Sequence, residues 1–287
     1  MLIYLLLLLQ QLIASGTHIV AKTLTAEIPA PVALFYRALL VSTLYSIVLL
    51  FKRDIFKKVE PKDWLRFILI GLLNIPINQF LFLSSLELTE APNVAFAYSL
   101  VPAFVLIISV SFFKEKTTKL KLLGIAIAVT GTVLLLLNKG FDINNLSTKG
   151  DILALIASLS WAFYTILGKQ LAEKYGAIFT TGIAMIFGLI LYLPVFHFHP
   201  VEYSLSDISA KNWWQIFYIG AITSGVGYTL WYYALQKIEA SKVSVFNNIQ
   251  PVLTTILAYF ILDNAINANF VVAGVLIIAG VVITQRG

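Results

Sequence analysis

The chain has 287 residues, of which 59% are hydrophobic and 12% charged, and its mean hydropathy is +0.89. Soluble domains carry roughly 25% charged residues, so a water-soluble globule is excluded. The net charge of +6 reads as loop lysines beside anionic lipid and not as a nucleic-acid surface, while the lack of cysteine removes disulfides, thiolate metal sites and thiol catalysis.

A membrane-spanning helix needs ~20 mostly apolar residues. Apolar stretches punctuated by charge, Pro, Asn or Gly predict ten spans, near 2–24, 30–51, 64–86, 91–113, 119–137, 150–172, 177–198, 213–236, 240–262 and 268–285. The first reads as a retained span, because it lacks the basic leader and small-residue cleavage site of a signal peptide. Connections are short, the longest near 138–149 and 199–212, which leaves no room for a soluble domain. Lys and Arg crowd the loops at one side (Lys52, Arg53, Lys57, Lys58, Lys114, Lys116, Lys174, Lys237), and few fall at the other (Lys22, Lys139, Lys149, Lys211). The positive-inside rule then predicts a multi-pass inner-membrane protein with both termini cytoplasmic.

In span 1, Gln11, Ser15, His18 and Lys22 fall on one helical face, and lipid would penalise such a stripe unless it faced protein or water. His18 is the one imidazole inside a span and is the candidate for proton coupling; no other cofactor is expected. Span 2 carries Arg37 with no acidic residue inside any span to pair with it, so it is expected to reach Glu27 or Glu90, or an anionic group of a solute. Span 3 adds Asn74, Asn78, Gln79 and Ser85. Span 4 opens at Glu90 and contains Tyr98, Ser99 and a mid-span Pro102, which removes a backbone donor and predicts a kink or hinge. In span 5, Gly124, Ala128 and Gly131 permit close helix approach. Span 6 presents Ser158, Trp161, Thr165 and Lys169 on one face, and span 8 carries Thr223, Tyr228, Trp231 and Tyr232. Span 9 opens at Glu239 and holds Asn247, Asn248, Gln250 and Pro251.

The sequence repeats at an offset of 149 residues, pairing Trp64 with Trp213, Glu90 with Glu239, Pro102 with Pro251 and Gly131 with Gly280; upstream the offset is 147, pairing Lys22 with Lys169. A register held over this distance indicates duplication. Five spans being odd, the second copy inserts upside down, giving an all-α membrane protein of two inverted five-helix halves, 1–138 and 150–287, joined by an outer linker at 139–149. Inverted repeats place a solute site near the midplane. Lining it are expected His18, Lys22, Arg37, Asn74, Asn78, Tyr98, Ser99, Trp161, Thr165, Lys169, Tyr228, Trp231, Asn247 and Asn248, with Pro102 and Pro251 as hinges.

Zinc-protease, nucleophile-elbow and phosphate-loop signatures are absent, and His197-x-His199 with Glu202 is too sparse for a metal site. No enzyme is expected.

The stretch LTEAPNVAFAYSLVPAFVLIISVSFFKEKTTKLKLLGIAIAVTGTVLLL resembles the drug/metabolite transporter superfamily, in particular its EamA-type exporters, with Glu115 at the acidic turn. Its second-half counterpart departs at that turn, where Asn264 stands in register with Glu115. The resemblance implies a ten-helix fold around a central cavity, alternating access, and export of an amino acid or other small metabolite, with lipid as the other partner. A nucleotide-sugar or lipid-linked-sugar carrier and a non-transporting scaffold are the competing expectations, and the protein is expected to be a monomer or homodimer.

Overall fold

An apolar run in lipid must satisfy its backbone groups internally, and a helix does so along its own length. In a computed structural model, which describes residues 2–113, 117–137, 146–198, 203–262 and 268–286, every regular element among the described residues is helical. We label them α1 (Leu2–Thr25), α2 (Ala30–Leu50), α3 (Pro61–Leu88), α4 (Ala91–Tyr98 continued by Val101–Phe113), α5 (Lys119–Leu137), α6 (Leu146–Tyr175) and α7 (Ala177–Phe198). There follow α8 (Ala210–Phe217, Tyr218–Gly227 and Tyr228–Leu235), α9 (Ala240–Ser244, Val245–Ile249 and Gln250–Leu262) and α10 (Ala268–Arg286). Among the described residues, α1, α2, α3, α4, α6, α7 and α9 are long and apolar enough to cross a membrane, and Val271–Thr284 of α10 is a shorter apolar stretch. Glu115, Asp263, Asn264, His199 and Glu202 lie outside the described residues.

Local chemistry sets the helix ends. Prolines occupy the first turns of α2, α3 and α4, where their missing N–H costs nothing. The N-terminus of α2 is buried and has no cap of its own; the Glu87 carboxylate on α3 accepts from the Ala30 N–H at 2.6 Å. Ser209 and Asn212 form a reciprocal capping box at the start of α8. The turn from α6 to α7 is made at Gly176, whose φ of 89° lies in the left-handed region that a side chain disfavours.

Four helices are interrupted. Residues Leu73–Gln79 of α3 and Tyr218–Gly227 of α8 are π-helical, a widened winding that recurs at functional sites. Pro76 breaks the ladder in α3, while in α8 the Thr223 and Ser224 hydroxyls bond back to the Tyr218 and Ile219 carbonyls. In α4 the winding loosens at Ser99–Leu100 and resumes at Val101; in α9 the segment Val245–Ile249 is a 3₁₀ helix and the α-helix resumes at Gln250. Pro102 and Pro251 thus sit in the first turn of each resumed helix.

Helices α5 and α10 pack against each other through small residues. A β-carbon on Gly280 would stand 2.6 Å from the Ala128 amide nitrogen, and one on Gly131 would stand 2.9 Å from the Ala273 carbonyl. Val271, Val272, Val275 and Ile278 on the outer face of α10 are exposed, as lipid contact allows.

The two ends of the bundle differ in charge. Lys52, Lys174, Lys237 and Lys242 gather at one, where Asp63 is buried and accepts from Lys174 (2.8 Å), Tyr175 (2.7 Å) and Arg66 (3.1 Å), and where Lys174 also pairs with Glu60. At the opposite end Glu27 receives Lys211 (2.6 Å) and Asn212 (2.8 Å), and those bonds hold its carboxyl below the usual range.

Candidate functional site

Between α1, α2, α3, α4, α6, α8 and α9 lies a cavity of about 40 Å³. A water needs roughly 10–15 Å³ of such space, whereas small-molecule pockets run to roughly 300–1,000 Å³. In this conformation the cavity has room for a few waters and is too small for a metabolite.

Its walls are chemically divided. On one side an amide chain links α1 to α9: Gln250 Nε2 donates to Gln11 Oε1 (2.8 Å) and Asn247 Oδ1 (3.1 Å), Gln11 Nε2 donates to Gln10 Oε1 (2.6 Å), and His18 Nε2 meets Gln250 Oε1 at 3.1 Å. The His18 ring stands edge-on to Phe82 and Tyr98, with centroids 5.2 and 5.8 Å away. Asn78 donates one amide to both Tyr98 Oη (2.6 Å) and the Ala157 carbonyl (2.7 Å), tying α3, α4 and α6 into one junction. Thr17 and Thr223 share a hydrogen bond of 2.7 Å between α1 and α8.

The other side is aromatic and cationic. Trp161 packs on Tyr228 (4.7 Å) and Trp231 (5.6 Å), and Trp231 Nε1 donates to Thr165 Oγ1 at 3.1 Å. Arg37 is buried; its Nε donates to Ser224 Oγ (2.9 Å) and one terminal nitrogen to Tyr228 Oη (3.4 Å), while Nη1 has no hydrogen-bond partner. Arg37 reaches neither Glu27, which is taken by Lys211, nor Glu90, and among the described residues no carboxylate forms a salt bridge with it. The expected intramolecular pairing is replaced by hydroxyl contacts, since α2 packs beside the π-segment of α8, where Ser224 faces it. An unpaired arginine in a membrane interior costs at least ~2.5 kcal/mol.

Of the residues singled out in the sequence, His18, Arg37, Asn78, Tyr98, Trp161, Thr223, Tyr228 and Gln250 line the cavity. Trp231 and Asn247 stand directly behind it, packed on Trp161 and bonded to Gln250, and Thr165 accepts from Trp231. The others are elsewhere. Asn74 turns to α7, donating to Met185 Sδ (3.5 Å) and accepting from Gln79 (2.8 Å). The Lys22 ammonium donates to the Leu86 and Thr89 carbonyls at 2.9 Å and so closes the last turn of α3. Ser99 bonds the Phe96 carbonyl at the break in α4, and Asn248 is buried in the 3₁₀ segment of α9 with neither amide atom bonded. Lys169 lies at the basic end, 3.8 Å from Glu173, in a cleft of about 420 Å³ that it shares with Tyr4, Glu239 and Lys242. Glu239 there accepts from Lys121, which holds its carboxyl below the ordinary value of 4.5. A second cleft of about 420 Å³, with Lys52, Tyr175 and Gln236, opens at the same end.

Gln10, Thr17 and Phe82 line the cavity without having been anticipated. Gln10 adjoins the polar stripe of α1 and could have been found there; Phe82 had no distinguishing signal in an apolar span.

The EamA-like transporter family model matches residues 1–137 and residues 148–286. The chain is 29% identical to the uncharacterized transporter YyaM of Bacillus subtilis, covering 98% of this chain and 94% of that protein. It is 28% identical to an uncharacterized transporter of Archaeoglobus fulgidus (98% and 96% covered) and 25% identical to a WAT1-related protein of Arabidopsis thaliana (93% and 74%). A protein of known crystal structure shares the fold with a TM-score of 0.78 at 17% identity, over 98% of this chain and 96% of the other.

Proposed function

The chain belongs to the EamA-like transporter family, and from that premise we propose a secondary transporter that exports a small polar metabolite, an amino acid or an aromatic compound, across the inner membrane by alternating access. The observation that carries this reading is the central cavity: a buried, hydrogen-bonding and aromatic chamber inside an apolar bundle, closed down to a few waters. A scaffold has no use for a polar chamber, whereas a carrier caught between loading and release must have one.

The ten-span architecture of two inverted halves, 1–138 and 150–287, is part of the proposal. It is supported by the two segments matched by the family model, by the π-segments shared by α3 and α8, and by the proline-led restarts shared by α4 and α9. Lys22 and Lys169, repeat partners in sequence, lie at opposite ends of the bundle, which also favours inversion. By the positive-inside rule the basic end faces the cytoplasm.

On this reading Pro102 and Pro251 are the hinges, since a restarted helix can swing without breaking intact ladder bonds. From Trp161 to Lys169 along α6 is about 12 Å at 1.5 Å per residue, and Tyr164, Trp231 and Tyr232 fill that interval. These rings form the inner barrier, and their parting joins the cavity to the clefts at the basic end. Proteoliposomes loaded with a labelled metabolite pool test the proposal: saturable efflux with counterflow is expected, and folded protein that moves no member of a broad pool refutes it.

A further inference from the structure

Among the described residues the cavity wall carries one formal charge and no carboxylate to balance it. Arg37 is the sole Lys or Arg among the described residues of the lining, no Asp or Glu lies among them, and the guanidinium keeps Nη1 unbonded while Nε and the other terminal nitrogen rest on the Ser224 and Tyr228 hydroxyls. The remaining cations of interest are engaged away from the cavity, Lys22 on the carbonyls ending α3 and Lys169 beside Glu173. A buried guanidinium with a free donor edge is complementary to a carboxylate. Phosphate esters recruit clustered cations, and this wall offers one.

We propose that the solute is a small aromatic monocarboxylate whose remainder is uncharged. The inference rests on reading the cavity as the solute site and narrows what that site accepts. The carboxylate sits on Arg37 Nη1 and completes the charge balance of the chamber. The ring lies against Trp161 and Tyr228, which pack 4.7 Å apart beside Arg37, and the Asn78 and Gln250 side chains receive any hydroxyl on the ring. A zwitterionic amino acid fits less well, because its ammonium would stand near Arg37 with no carboxylate in the lining to receive it. Loading requires the chamber to widen from about 40 Å³, and a one-ring acid demands the least widening.

Isothermal titration calorimetry at neutral pH on the purified full-length protein decides this, with benzoate, benzamide, phenylalanine and inorganic phosphate as probes. Benzoate is expected to bind at one site at least about tenfold more tightly than benzamide or phenylalanine, with phosphate silent. Arg37→Gln brings benzoate down to the level of benzamide and leaves benzamide within about twofold, and Arg37→Lys falls between. Phenylalanine or phosphate binding as tightly as benzoate overturns the proposal, as does unchanged benzoate affinity in Arg37→Gln. Should that variant not fold, the ranking of the four probes on the unaltered protein decides alone. If none of the four binds, the proposal falls, and flux of other solutes in proteoliposomes separately judges whether the protein is a carrier.

Discussion

Replacing Asn78 by Leu removes both donors of an amide that bonds Tyr98 at 2.6 Å and the Ala157 carbonyl at 2.7 Å, so three helices lose their shared tie at the cavity wall. Interhelical hydrogen bonds inside membranes average ~0.6 kcal/mol and reach ~1.7, which gives about 1–3 kcal/mol for the pair. Tyr98→Phe deletes one of the two bonds and should cost about 0.6 kcal/mol, its ring packing on His18 and Phe82 being kept. The double variant should cost less than the sum, with a coupling energy of about 0.6–1.7 kcal/mol. Asn78→Asp is expected to be worse than Leu, since a carboxylate would face the Ala157 carbonyl with no proton to donate. Reversible unfolding in mixed micelles measures the four variants against the parent. A coupling energy of zero, with Asn78→Leu as stable as the parent, would refute the junction.

Three further outcomes follow from particular contacts. Lys22→Met should lower stability by about 1–2 kcal/mol by uncapping α3 at Leu86 and Thr89, and a thermal melt reads it. Gly280→Val should cost about 1–3 kcal/mol, because its β-carbon meets the backbone of α5, yet leave ligand binding at the distant cavity intact. Glu239, held below 4.5 by Lys121, contributes stability that is full above 4.5 and is lost as pH falls through its lowered folded value. The melting difference between the parent and Glu239→Gln should therefore be constant from about pH 5 to 7 and close below that.

The helical class was legible because hydropathy reports burial in lipid directly, and the repeat register located the paired restarts at Pro102 and Pro251. The polar face of α1 was equally readable: Gln11, Ser15 and His18 are all buried. Spacing gives a face, however, and not the neighbour that covers it. Asn74 and Asn78, one turn apart on paper, diverge across the π-segment of α3, whose wider winding turns less per residue than an α-helix, with Asn74 on Met185 and Asn78 at the cavity. Long side chains hide their targets as well. Lys22 reaches sideways to the end of α3, and Arg37 finds hydroxyls on α8, neither of which a single span can announce. Gln10 and Thr17 were obscured because two adjacent glutamines and a threonine widen the stripe beyond the face chosen from Gln11 and His18.

The absence of native cysteine makes one measurement direct. Thr17 lines the cavity midway along α1 and is replaced by Cys with little change of volume. A membrane-impermeant thiol reagent is then applied from each side of oriented vesicles in turn. Alternating access predicts modification from both sides and protection by the transported solute; reaction from one side alone, or from neither, contradicts it.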